Sequence, residues 1–168
     1  MRRRGVLIHK SIEVTGRADI RPWLTFGPGS YVERECTIWC AAEADSEPSV
    51  VIGENVFIGR NTYVGAWKPI SIGTDTLIGA YCYIISGNHR IAAPDLPVRM
   101  QGYEGGPITI GRNVWLGAHV IVLPGVTIGA NAVVGAGSVV TASIPEAEIW
   151  AGAPARRIRS IVQSPPKE

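Results

Sequence analysis

The sequence is poor in most of the features that announce a function. Sixteen Lys and Arg stand against fourteen Asp and Glu, a net charge of +2, which makes no case for nucleic acid or an acidic partner. The basic residues gather at the ends, in MRRR and ARRIR, and the first run reads as a solvated tail. Three cysteines form no framework. Cys36 and Cys40 stand as C-x3-C, with neither a second pair nor a histidine at ligand spacing, so reduced, half-buried thiols are expected. No apolar run approaches the roughly 20 residues that span a bilayer. After MRRR only three apolar residues follow in sequence, short of a signal-peptide core. No membrane span and a cytoplasmic location are therefore expected. At 168 residues the chain has the length of one domain, enough to bury a core.

What the sequence does have is rhythm. Stepping by six from Ile110 meets Leu116, Val122, Ile128, Val134 and Val140; from Ile72 it meets Ile78 and Ile84. From Ile52 it meets Ile58 and Val64, and from Ile8 it meets Val14, Ile20, Phe26, Val32 and Ile38. Val, Ile, Leu and Phe supply 45 of 168 residues yet fill all eighteen positions, so chance is excluded. From Ile52 onward nine of these residues are followed by glycine, from Gly53 to Gly135.

A period of six fits neither the α-helix nor the heptad. It suits short strands broken by turns, with the marked aliphatic always inward. Three such faces close a triangular coil of about eighteen residues, and coils stack at the spacing of a parallel sheet, about 4.8 Å. The column of β-branched residues then forms the core, because one repeat alone buries nothing. Gly, Asn and Asp after the aliphatic are expected to supply the left-handed backbone at each corner.

Three interruptions break the period: WCAAEADSEPS before Ile52, AWKP between Val64 and Ile72, and a long stretch from Ile84 to Ile110. Irregular insertions in a solenoid project outward and tend to carry function. The predicted loop covers about residues 86–107. Coils run over about 8–144; Pro145 and Pro154 then end the ladder, leaving an extension over 145–168 with a short helix or strand near 155–162.

Of the three histidines, His9 sits in a weak repeat and His119 in a regular one, where an outward wall position is expected. His89 opens the long insertion beside Gly87 and Asn88. An imidazole there has the ordinary pKa, near 6.5, that suits a general base at neutral pH; an exposed loop histidine is the alternative.

SGNH, the loop, and then PITIGRNVWLGAHVIVLPGVTIGANAVVGAGSVVT and AGAPARRIR resemble the acyl-CoA transferases of the hexapeptide-repeat group. The resemblance runs over about Val50–Ile161. It is closest to maltose and galactoside O-acetyltransferases and to the O-acetyltransferases of surface-polysaccharide synthesis. It implies an all-β fold, the left-handed parallel β-helix, with the left hand coming from the family alone. It implies an acetyl-CoA-dependent O-acetyltransferase acting on a saccharide hydroxyl, with acetyl-CoA as co-substrate and no metal.

Carried over by position, His89 matches the catalytic base and the Ala118 backbone N–H the oxyanion donor. Trp115 matches the tryptophan against the groove. Gly117, Gly135 and Ala136 leave room for the pantetheine arm, Thr141 lies near it, and Arg156 and Arg159 match residues set for the CoA phosphates. Asn88 and Trp67 are expected at the acceptor. The galactoside enzymes place a sugar-binding asparagine where this chain has Gly65, and the large N-terminal cap of those enzymes is absent, which favours the polysaccharide branch. The family's groove lies between prisms, so a homotrimer with interfacial sites is expected. Transfer to an amine is the second reading. A zinc hydratase on the same prism needs converging histidines, and this sequence has no H-x4-H pair. A non-catalytic scaffold is the remaining alternative, with no reason to keep the NH loop start, NVWLG and the distal arginines together.

Overall fold

A computed structural model describes residues 7–8, 13–15, 23–41 and 49–161. His9, Ile20, the MRRR start and the QSPPKE end lie outside the described residues. Apart from two antiparallel hairpins, every strand pair among the described residues is parallel. Successive strands of one turn fall on three different sheets. Ile70–Ile72, Leu77–Ile78 and Tyr83–Ile85 belong to sheets of five, eight and six strands. Ile108–Ile110, Trp115–Leu116 and Ile121–Val122 repeat the circuit one coil on. We call the three sides the Thr109 face, the Trp115 face and the Tyr83 face.

Register follows the sequence period. Ile110 pairs with Ile128, Leu116 with Val134 and Val122 with Val140, each eighteen residues apart. AWKP makes the previous turn two residues longer, so Ile52 pairs with Ile72. Every marked aliphatic from Val32 to Val140 is at most 2 % exposed. Each isoleucine so buried contributes about 1.5–3 kcal/mol relative to exposure. The N-terminal run is out of phase. Ile8 pairs with Val32 and Val14 with Ile38, but Phe26 pairs with Ile52 on the Thr109 face. Six-residue stepping puts Phe26 two faces past Val14, where the fold puts it one, so the sequence between them is one hexapeptide longer than the circuit needs.

The glycines after the aliphatics are not the left-handed corners that the sequence led us to expect. Neither Gly73 nor Gly117 has a positive φ. A Cβ on Gly73 would come within 2.6 Å of the Arg112 nitrogen, and one on Gly117 within 2.6 Å of the Ala136 nitrogen. These residues are glycine because the next coil's backbone passes against them. The left-handed residue comes two positions later, as at Asn55 (φ 54°), Asp75 (60°), Asn113 (53°) and Asn131 (61°), where short polar side chains bear that conformation best. His119 (φ 60°) occupies such a corner rather than a wall, exposed and stacked on Tyr81, with ring centroids 5.0 Å apart.

The long insertion is an ordered hairpin. Gly87–His89 pairs antiparallel with Tyr103–Gly105, His89 opposite Tyr103. At its tip a short 3-10 turn spans Val98–Met100, and the Gln101 amide ties back to the carbonyls of Ala93 (2.8 Å) and Leu96 (2.6 Å). The parallel ladder runs on past Pro145, since Glu148–Ala151 still pairs with Val133–Val134. The chain then reverses into the antiparallel strand Arg156–Ser160, so the segment near 155–162 is a strand.

Candidate functional site

The hairpin is rooted by one buried hydroxyl. Ser86, at 0 % exposure, donates to the Lys68 carbonyl at 2.7 Å and accepts from the N–H groups of Trp67 (3.0 Å) and Lys68 (2.9 Å). It thereby locks the AWKP bulge to the start of the insertion. A Cβ on Gly87 would collide with Trp67, and one on Gly105 with the Ser86 carbonyl, so both glycines let the hairpin lie flat on this root. Trp67 stacks on Tyr103 at 4.8 Å, and Tyr103 on His89 at 4.3 Å. Two rings, Tyr103 directly and Trp67 behind it, thus hold the exposed imidazole in place. Glu104 faces Asn88 across the hairpin and pairs with Arg90 at 3.9 Å.

Between this hairpin and the Tyr83 face lies a pocket of about 240 Å³. Trp67, Asn88, His89 and Tyr103 form one side; Trp39, Tyr63, Tyr83 and Ile85 form the floor and far wall. Tyr63 and Tyr83 stack at 4.9 Å. Among the described residues, no Asp, Glu, Lys or Arg lines it. Trp67, Asn88 and His89 are therefore brought together, as expected. Trp39, Tyr63, Tyr83 and Tyr103 were not singled out from sequence. The first three flank marked aliphatics on one face, a signal that was there to read, whereas Tyr103 lies in the irregular stretch.

A second group lies along the Trp115 face and the corner leaving it. Trp115, 56 % exposed, is in register with Val133, then Ile149, then Arg159. That column rises about 14 Å over three strand spacings. Gly117 and Ala118 leave the same face one coil below Gly135 and Ala136. Ala118 accepts from the Gly137 N–H at 2.9 Å; no acceptor meets its own N–H among the described residues. Arg157 is held by Glu148 (2.7 Å) and the Ser160 hydroxyl (2.8 Å). Arg156 and Arg159 are exposed and bond only nearby carbonyls.

The two groups stay apart within one chain. Ala118 sits at the corner leading into the Tyr83 face, whereas His89 stands past the corner leading out of it. Thr141 follows Val140 on that exit side, away from the Trp115 column. Among the described residues no three His, Cys, Asp or Glu gather to hold a metal ion, and no helix there is long and apolar enough to cross a membrane. Cys36, Cys40 and Cys82 are all buried; burial raises the pKa of the Cys36 and Cys82 thiols.

Known proteins share these features. The six-repeat bacterial transferase hexapeptide family matches residues 107–142, and the hexapeptide repeat of succinyl-transferase matches 49–66 and 69–87. A provisionally named acetyltransferase of Mycobacterium tuberculosis is 32 % identical over 94 % of this chain and 48 % of its own length. Escherichia coli galactoside O-acetyltransferase is 43 % identical over 68 % of this chain and 60 % of its own. WbbJ of the same organism, provisionally named a lipopolysaccharide biosynthesis O-acetyl transferase, is 38 % identical over 66 % and 60 %. The chain thus spans about half to three fifths of these relatives. The structure of AntD, an N-acyltransferase from Bacillus cereus in complex with dTDP and 3-hydroxybutyryl-CoA, superposes with a TM-score of 0.77 at 23 % identity, over 93 % of this chain and 80 % of that one. These likenesses fix the fold as the left-handed parallel β-helix.

Proposed function

We propose that this chain, a member of the hexapeptide-repeat transferase family, moves an acetyl group from acetyl-CoA to a saccharide hydroxyl at sites formed between the protomers of a homotrimer. His89 takes the proton from the acceptor hydroxyl as its oxygen attacks the thioester carbonyl. The Ala118 N–H receives the charge that develops on that carbonyl oxygen. Collapse of the tetrahedral adduct breaks the C–S bond, and the imidazolium returns its proton to the departing thiolate. A donor so placed is worth about 10² to 10³ in rate. In this reading the pantetheine arm runs along Gly117, Gly135 and Ala136 beside Trp115, Arg156 and Arg159 meet the phosphates, and Thr141, on the other side of the same prism, takes no part in the track.

The observation that carries the proposal is the separation of the two groups. One prism offers a pocketed imidazole on one side and a donor-bearing track on another, so a neighbouring prism must complete the site. The relatives named galactoside O-acetyltransferase and, provisionally, lipopolysaccharide biosynthesis O-acetyl transferase support a sugar acceptor in surface-polysaccharide synthesis. This reading carries a cytoplasmic location with it, on the proposed use of acetyl-CoA. Transfer to an amine is the second reading, favoured by the AntD likeness.

His89→Ala should abolish acetyl transfer while leaving the trimer and CoA binding intact; retained turnover removes the imidazole from the mechanism. A mass-spectrometric acceptor screen with acetyl-CoA decides between ester and amide products.

A further inference from the structure

Cys82 is a buried thiol that the mechanism above leaves unused, and it lies directly behind the Ala118 amide. Its sulfur is 3.2 Å from the Gly117 carbonyl oxygen, and the residue is 2 % exposed. Burial raises its pKa, so the thiol keeps the proton that it donates. The Gly117 carbonyl and the Ala118 N–H belong to one peptide unit, and in a planar trans peptide the two point in opposite directions. A carbonyl held inward by a core sulfur therefore turns the Ala118 N–H outward.

The same clamp recurs along the prism. Ser30, Thr62 and Thr76 donate to the carbonyls of Gly53 (2.7 Å), Gly79 (3.1 Å) and Gly111 (2.8 Å), and the Cys36 thiol to that of Gly59 (3.2 Å). The corner clamped by Cys36 shows what an amide so turned can do: the Arg60 N–H donates to a Glu33 carboxylate oxygen at 2.8 Å. Ala118 stands two coils above Arg60 in that corner, and its N–H meets no such oxygen among the described residues. Its neighbours in the column are Ala80 and Ala136, so nothing larger than a methyl group flanks the donor along the prism.

We propose that Cys82 is a positioning residue, whose thiol fixes the outward aim of the Ala118 N–H at the developing charge on the thioester oxygen. The inference rests on the transferase reading for the role of that amide. A glycine peptide flips readily because no Cβ opposes it, and a flipped unit would present a carbonyl to the developing charge. Backbone passes against the unit on both sides. A Cβ on Gly79 would lie 2.6 Å from the Ala118 nitrogen, and one on Gly117 would lie 2.6 Å from the Ala136 nitrogen. Those contacts limit its displacement along the prism, whereas the thiol opposes its rotation.

Cys82→Val and Cys82→Thr are nearly equal in shape and separate the hydrogen bond from the packing. Thr62 and Thr76 show that threonine serves in this clamp. Cys82→Val should lower kcat about tenfold, a part of the roughly 10² to 10³ that such a donor is worth, with the KM for acetyl-CoA within about twofold of the parent. Cys82→Thr should keep kcat within about twofold. Cys36→Val removes the same bond from the corner where Glu33 holds the amide, and should leave kcat unchanged at a similar loss of thermal stability. With glycine carrying 13C at its carbonyl and alanine carrying 15N, the Gly117–Ala118 cross-peak should move in Cys82→Val and far less in Cys82→Thr. A threonine variant as slow as the valine one, a loss of kcat matched by Cys36→Val, or an unmoved cross-peak in Cys82→Val overturns the proposal. A parent chain that transfers no acetyl group removes the transferase reading instead, and the cross-peak alone then decides whether the thiol orients the amide.

Discussion

Among the described residues no carboxylate stands beside the His89 imidazole; its orientation comes from ring contacts. The imidazole rests on Tyr103, Tyr103 on Trp67, and Trp67 is fixed by its backbone bond to the buried Ser86 hydroxyl. Tyr103 is therefore a positioning residue in the proposed mechanism. Tyr103→Ala should lower kcat by about 10- to 100-fold, the usual result of loosening a reacting group by an ångström or so. Tyr103→Phe keeps the ring and should stay close to wild type. Equal losses in the two variants would assign the effect to the hydroxyl instead. The glycines make a second point at this scale. Gly73→Ala should cost about 1–3 kcal/mol in thermal or urea unfolding, because Arg112 backbone lies where the methyl group must go. If close approach were irrelevant, the substitution would be neutral or mildly stabilising, since φ at Gly73 is ordinary.

At the scale of elements, what was legible followed from periodicity. Period six placed the inward residues from Val32 to Val140 correctly, because a packed column tolerates no substitute for an aliphatic side chain. It misplaced the phase between Val14 and Phe26 because an extra six-residue step leaves the period intact while shifting every face. The long insertion was legible only as a departure from rhythm. Its hairpin depends on Gly87 and Gly105 lying against Trp67 and Ser86, a contact between segments that no local pattern announces. The C-terminal hairpin was hidden similarly, since Pro145 signals an end to the ladder and yet Glu148–Ala151 continues it. That hairpin is pinned at Glu148. A hydrogen bond from the Trp150 indole (2.8 Å), together with the Arg157 guanidinium (2.7 Å), holds its pKa below the ordinary carboxylate value. A lowered carboxylate pKa stabilises the fold above the unfolded-state value and loses that contribution as pH falls through the folded one. Amide protection factors across Arg156–Ser160, taken relative to the intrinsic exchange rate at each pH, should therefore fall on acidification below the usual carboxylate range. Glu148→Gln should show the low protection already at neutral pH and lose the acid dependence; unchanged protection in that variant would mean that the backbone pairing alone holds the strand.

At the scale of the whole molecule, the prism is a rigid ruler with flat faces. The residues proposed for acceptor and for donor are carried on different sides. Which sides face each other was beyond the sequence, because a solenoid's period is the same whether it stands alone or packs against copies of itself. Sedimentation of the pure chain should give a trimer.

The most direct measurement is complementation between protomers. His89→Ala removes the base; Ala136→Trp blocks the track, and each variant alone should be inactive. Denatured together in equal amounts and refolded, they should recover roughly a quarter of wild-type acetyl transfer, because each mixed trimer pairs one intact imidazole with one intact track on its neighbour. Mixtures that stay as inactive as the separate variants, despite forming trimers, would contradict a shared site.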